Sequence, residues 1–287
     1  MSEPAGLSGG FSRFRIDLAY DGTDFSGWAK QPGLRTVQGE ILRALEQIFG
    51  TSKEDFGIRV AGRTDAGVHA DHQVCHIDIS SEQLSRLGRS DFSAKRLNGL
   101  LPDDVRILSV ATAPAGFDAR FSATGRSYRF LLADSSCQPD PKRSRYSLEV
   151  KGELDLERMN RAAKNLIGLK DFGAFCRPRE GATTIRELRK LVVQRLQDQV
   201  IEVSLKADAF CHNMVRAIVG SLIAVGLGKL TPEELAEIQV TAKRVSKFKV
   251  VDAKGLSLSG ISYPEDSELA NQAEKARNKR DSGEISV

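Results

Sequence analysis

Hydrophobic and polar positions alternate in "RFRIDLAY", where Phe14, Ile16, Leu18 and Tyr20 oppose Arg13, Arg15, Asp17 and Ala19, predicting a strand with one buried face. The period then changes to that of a helix. Val37, Ile41, Leu45 and Ile48 share one stripe after Thr36, an N-cap type, and Gly50 stops the run in the C′ position. "IRVAGRTDAGVHADHQVCHIDI" reads as strand, glycine-rich turn and strand, with Cys75, Ile77 and Ile79 on one face and His72, Val74 and His76 on the other. A helix ends in "SAKRLNGLL" before Pro102, and "DVRILSVA" and "RSYRFLLA" follow as strands rich in branched and aromatic residues.

The second half repeats the recipe. A helix is predicted at "DLERMNRAAKNLIG", a long hairpin across "LRKLVVQRLQDQVIEVSLKA" and an apolar helix at "CHNMVRAIVGSLIAVG". "TPEEL" opens one more, with Thr231 as N-cap, Pro232 at N1 and Glu234 closing a capping box. The chain is therefore α+β. From about Glu265 onward few apolar residues remain, and 265–287 reads as a charged, partly disordered tail. Residues 1–10 read as a loose arm, without the basic and apolar regions of a signal or transit peptide.

The 287 residues suffice for two halves sharing one cleft. Hydrophobic residues at 40% and charged residues at 28% indicate a globular protein. No apolar run reaches the roughly 18 residues of a membrane helix, since "MVRAIVGSLIAVGLG" is short and interrupted by Arg216 and Gly220. A net charge of +4 and a pI near 8.9 suit a polyanionic partner without requiring one. Cys75, Cys137, Cys176 and Cys211 form no C-x-x-C pair, which argues against a disulfide scaffold or a zinc ribbon and for a reducing cytoplasm.

His69, His72, Cys75 and His76 crowd together, but on a strand Cys75 points away from His72 and His76, and no second ligand pair follows at zinc spacing. No metal is assigned. "LAYDGTDFSG" carries the D-G-T of actin-like sugar kinases, a signal only three residues long with no second phosphate loop; a turn after the first strand explains it better. Asp65, in "AGRTDAGVHA", is the harder case, because a lone Asp in a Gly turn is usually an Asx-turn or an N-cap. Arg63 and His69 flank it with cationic or hydrogen-bonding groups that would orient a nucleophilic carboxylate. A hydrolytic glycosidase would need a second carboxylate, and none is near in the motif.

"AGRTDAGVHA" resembles, almost letter for letter, the signature of the TruA family of tRNA pseudouridine synthases. "YDGTDFSGW", "TVQGEI", "LNGLLPDDV", "FDARFSATGRSYRF", "FCHNMVRAIVG" and "GLSLSGISYP" follow the same family in order, across roughly residues 13–264. The resemblance implies a pseudouridine synthase fold: an N-terminal α+β subdomain over 11–113 and a C-terminal one over 114–264, with mixed or antiparallel sheets flanking a basic catalytic cleft. It also implies a homodimer, no cofactor, and isomerisation of uridine at about positions 38 to 40 of the anticodon arm of tRNA after the base is flipped out.

Carried over residue by residue, the resemblance makes Asp65 the nucleophile, with Arg63 holding the flipped nucleotide beside His69. Tyr128 of "RSYRF" would stack on the uracil, Arg216 of "MVRAIVG" would pair with Asp65, and Leu256 of "KGLSL" would close the pocket. An arginine in so apolar a helix would also, on physical grounds, want a buried carboxylate partner. The chain departs from the family at Ala29, where Gln is usual, at Lys170, where His is common, and at Phe130, which replaces a frequent second tyrosine. These bear on fine substrate contacts and leave Asp65, Tyr128 and Arg216 untouched. A noncatalytic tRNA-binding protein, independent of Asp65, and a phosphotransferase needing nucleotide and magnesium are the rival classes.

Overall fold

A computed structural model describes residues 10–50, 56–87, 91–138, 140–177, 183–278 and 283. The chain opens with β1 (Phe11–Tyr20), α1 (Val37–Phe49), β2 (Arg59–Val60), β3 (His69–Ser80), α2 (Ser81–Arg86), α3 (Ala94–Asn98) and β4 (Val105–Thr112). It continues through β5 (Gly125–Ala133), β6 (Leu148–Glu149), α4 (Leu156–Lys164), β7 (Gly168–Asp171), β8 (Ile185–Arg195), β9 (Ile201–Ala207), α5 (Met214–Gly226) and α6 (Pro232–Thr241). β10 (Leu256–Ser262) and α7 (Leu269–Lys275) end the described elements.

Two compact units result. The first combines residues up to Thr124 with Leu258–Arg277, and Gly125–Ser257 form the body of the second. The expected boundary at 113/114 is thereby moved, for a packing reason. Ala113, Phe117 and Ala119 are buried with Ala61 and Val74 in one apolar cluster, so 114–124 stays with the first unit. The returning chain closes the same cluster, as Leu269 is 2% exposed within it and the Tyr263 hydroxyl donates to the Ala119 carbonyl at 2.7 Å.

That cluster also corrects the expectation of a disordered tail from Glu265. Composition averaged over 265–287 hides Leu269 and Ala273, four residues apart on α7, and both are buried. Residues 284–287 and 279–282 of that tail, and 1–9 of the arm, lie outside the described residues.

In the first unit the strand order is β4-β1-β3-β10, with β2 added on β3. β1 runs antiparallel to both neighbours, Ile16 opposite Cys75 and Val110. Its predicted apolar face holds, since Ile16 and Leu18 are fully buried and Tyr20 is 5% exposed. Phe14 meets Phe92 edge-on at 5.2 Å, and Phe92 in turn meets Phe49 at the end of α1 at 5.7 Å, which fixes that helix to the sheet. The α1 caps are as the pattern predicts: Thr36 Oγ1 accepts from Gly39 N, and Gly50, at φ 64°, donates to the Glu46 carbonyl.

The opposite face of this sheet is a charge network. Arg13 binds Asp78 through two bonds of 2.7 Å, and Asp17 takes two bonds from Arg15, one from Ser109 and one shared with His72 Nε2 at 2.8 Å. Burial opposes charge on Asp17, yet the hydrogen bonds from Arg15 and His72 prevail, and its carboxyl titrates below the ordinary value.

His76 lies on the same face, 1% exposed, accepting the Ala119 N–H at Nδ1 over 2.9 Å. Burial, reinforced by the Arg13 charge, pushes its pKa down to about 4. The unfolded chain, with an ordinary imidazole near 6.5, therefore binds a proton over a range where the fold does not. Stability is expected to be full above about pH 6.5 and to fall as pH drops from there towards 4. His76→Gln should flatten that limb of the denaturant-midpoint profile, and an unchanged limb would show that His76 does not carry it.

The second unit carries the strand order β5-β9-β8-β7, with β6 parallel to the edge of β5. β8 and β9 form the predicted hairpin, Leu191 opposite Leu205. α5 is buried on almost all sides, and Gly220 explains how the chain crosses it closely. A Cβ there would lie 1.9 Å from the Lys249 carbonyl oxygen, so only glycine admits the segment around Lys249. The α6 capping box forms as expected, Thr231 and Glu234 exchanging side-chain to backbone bonds.

Cysteine spacing gave no sign of one pair that the fold brings together. Cys176 and Cys211, 35 residues apart, are joined as a disulfide with their Cα atoms 5.8 Å apart. Arg177 N also donates to the His212 carbonyl at 3.0 Å, so the bond ties the chain after β7 to the approach to α5. Pairing across such a separation depends on tertiary contact, which no local spacing records.

Candidate active site

The "AGRTDAGVHA" stretch links β2 to β3, held by its own turn and, second, by a neighbouring chain segment. Within it, Val68 N donates to the Asp65 carbonyl at 3.2 Å, and Gly67, at φ 75°, supplies the left-handed residue of the turn. Gly67 is thus the hinge; Gly62 and Ala66, the other small residues of the stretch, do not take up positive φ.

The second chain is the loop after β1. Trp28 N donates to the Thr64 carbonyl at 3.0 Å and Gly67 N to the Phe25 carbonyl at 3.3 Å, on the two sides of Asp65. Contact is so close that a Cβ on Gly22 would sit 1.9 Å from the Val68 carbonyl oxygen. "YDGTDFSGW" and "AGRTDAGVHA" therefore fold as one double loop. Asp21 closes it as an Asx-turn, accepting from Thr23 N and Thr23 Oγ1, which accounts for the D-G-T without any phosphate.

Beneath the double loop runs a buried polar strut. Tyr20 Oη and Thr64 Oγ1 are 2.7 Å apart, and Gln73 Nε2 donates to the Gly62 carbonyl at 2.8 Å and to Tyr20 Oη at 3.3 Å. Gln73 is fully buried, so these bonds occupy polar groups that would otherwise be costly to bury. Burial raises the Tyr20 phenol to about 12, so it remains a neutral donor. The strut fixes Thr64 on one side of Asp65. Sequence reasoning missed it because Tyr20 was absorbed by the apolar stripe of β1, though Gln73 amid buried strand positions was a signal.

The predicted site residues divide between the two units. Arg63, Asp65 and His69 belong to the first, where Arg63 is exposed and Asp65 half-buried. His69, expected to touch substrate, is 5% exposed; its Nδ1 accepts from Gly22 N at 3.0 Å with Asp21 Oδ1 3.1 Å away. Its ring is therefore a clasp of the double loop. Of the other histidines of that stretch, His72 serves Asp17 and His76 serves Ala119, so the three turn to separate partners.

Tyr128, Arg216 and Leu256 belong to the second unit. Tyr128 stands on β5 opposite Leu205, its ring meeting Phe210 edge-on at 5.1 Å. Arg216, half-buried on α5, donates from Nε to the Val251 carbonyl at 2.7 Å, in the segment that Gly220 admits. Leu256 opens β10 after Gly255, whose Cβ would meet the Leu131 carbonyl at 2.5 Å.

The chain is 46% identical over 281 residues to "tRNA pseudouridine synthase A" of Leifsonia xyli subsp. xyli, covering 94% of this chain and 98% of that protein. It belongs to the tRNA pseudouridine synthase A family. The proteins of that name from Streptomyces avermitilis and Mycobacterium leprae are 47% and 45% identical, covering 94% of this chain in each case and 95% and 96% of theirs. A family model described as "tRNA pseudouridine synthase" matches residues 162–264, a span that holds Arg216 and Leu256. The double loop holds the backbone on both sides of Asp65. Among the described residues no helix is long and apolar enough to cross a membrane, and no cluster of His, Cys, Asp and Glu could hold a metal.

Proposed function

We propose that the chain isomerises uridine to pseudouridine in the anticodon arm of tRNA, at about positions 38 to 40, with Asp65 as nucleophile on a flipped-out base. The observation that carries this reading is the near-full-length identity to proteins named tRNA pseudouridine synthase A. Asp65 attacks the nucleoside and the N-glycosidic bond breaks. The uracil turns and rejoins the ribose through C5, the proton lost from C5 is balanced by one taken up at N1, and Asp65 departs unchanged. No water, metal or cofactor is consumed.

Arg63 holds the flipped nucleotide, Tyr128 stacks on the uracil, Arg216 pairs with Asp65, and Leu256 closes the pocket. His69 joins Arg63 in binding the nucleotide, its ring also clasping the double loop. Two copies of the chain act together on one tRNA, in the cytoplasm. Incubating unmodified tRNA with this protein alone should convert uridine without any change in mass, at a rate that EDTA leaves unchanged. Release of free uracil, or dependence on nucleotide and magnesium, would overturn the reading.

A further inference from the structure

Three arginines of the first unit converge on one phenyl ring outside the double loop. The guanidinium carbons of Arg59, Arg120 and Arg277 lie 5.9, 5.2 and 5.3 Å from the centre of the Phe121 ring. All three side chains are exposed. Like charges gathered so closely repel, and the ring quadrupole offsets only part of that cost.

The platform beneath them is rigid. Asp118 Oδ1 accepts the N–H groups of Arg120 and Phe121 at 2.9 Å, and its Oδ2 takes Arg59 Nη1 at 3.1 Å. Ser122 Oγ accepts from Asp118 N at 3.0 Å and donates to the Leu269 carbonyl at 3.0 Å, pinning the start of α7 to the same turn. Gly116 makes room for that helix, as a Cβ there would fall 2.7 Å from Ala270 Cβ. The short helix after β10 thus delivers Arg277 to a preformed site.

The geometry points to a phosphodiester-binding patch, Arg59, Arg120 and Arg277 on the Phe121 floor, that grips the RNA backbone away from the reacting uridine. Planar guanidiniums match phosphate oxygens two at a time, and three of them around one ring suit the closely spaced phosphates of an RNA strand. The ring serves as a floor, because its surroundings are taken by cations. This inference rests on the RNA substrate of the proposed function, and it concerns affinity alone.

The test measures binding of unmodified tRNA by the full chain across 50 to 300 mM KCl. Arg277→Ala should weaken binding about threefold to tenfold at 100 mM and lower the slope of log affinity against log salt by about 0.7 to 0.9, the signature of one lost phosphate contact. Arg277→Lys should lie between, keeping charge without the plane. Arg120→Gln should show the same loss without touching α7. Unchanged affinity and slope in both neutral variants overturn the patch, as does a loss confined to Arg277→Ala that tracks a lowered melting temperature. Isomerisation by the unaltered protein is scored separately, so failure of the patch and failure of the proposed function are distinguishable.

Discussion

Asp65→Asn is expected to reduce isomerisation by about 10⁴-fold or more while tRNA affinity stays within a few-fold. The amide keeps the size and planarity of the carboxylate and can keep its place in the turn, but it cannot act as the nucleophile. The structure makes this substitution a clean probe. Backbone bonds to Thr64 and Gly67, the Gly22 contact with Val68 and the Tyr20–Thr64–Gln73 strut hold the loop, and none of them uses the Asp65 side chain. The double loop should therefore persist in the variant, and a melting temperature checks that the chain stays folded. Turnover near that of the unaltered protein would remove Asp65 from the chemistry, and equal losses in affinity and turnover would recast it as a binding residue.

On the proposed pairing with Asp65, Arg216→Met should lower turnover by about a hundredfold or more, far beyond its effect on affinity, because the nucleophile loses the charge that orients it. Methionine fills the space of the aliphatic stem, so the packing of α5 is largely kept. Arg216→Lys should recover part of the rate, the charge returning without the planar fork. The bond from Nε to the Val251 carbonyl gives a second control. If that bond were the whole purpose of Arg216, Met and Lys would lose stability alike and lysine would rescue nothing. Normal single-turnover rates in Arg216→Met would sink the pairing with Asp65.

Much of this protein was legible in the sequence, and for local reasons. The period-two face of β1, the caps of α1 and α6 and the β8–β9 hairpin depend on residues a few positions apart, so their physics is written in adjacent letters. The ten-residue stretch around Asp65 was legible too, as a family signature. What tertiary structure decided was everything that rests on distant partners. The Cys176–Cys211 bond, the strut from Tyr20 through Thr64 to Gln73 and the docking of α7 on Phe117 join segments with no periodic relation. His69 shows the difference on a single side chain: its place beside the aspartate suggested substrate contact, and only the packed fold sets its ring against Gly22. Sequence spacing fixes which way a side chain leaves its own strand or helix, but what it meets there is set by the packing of the whole unit.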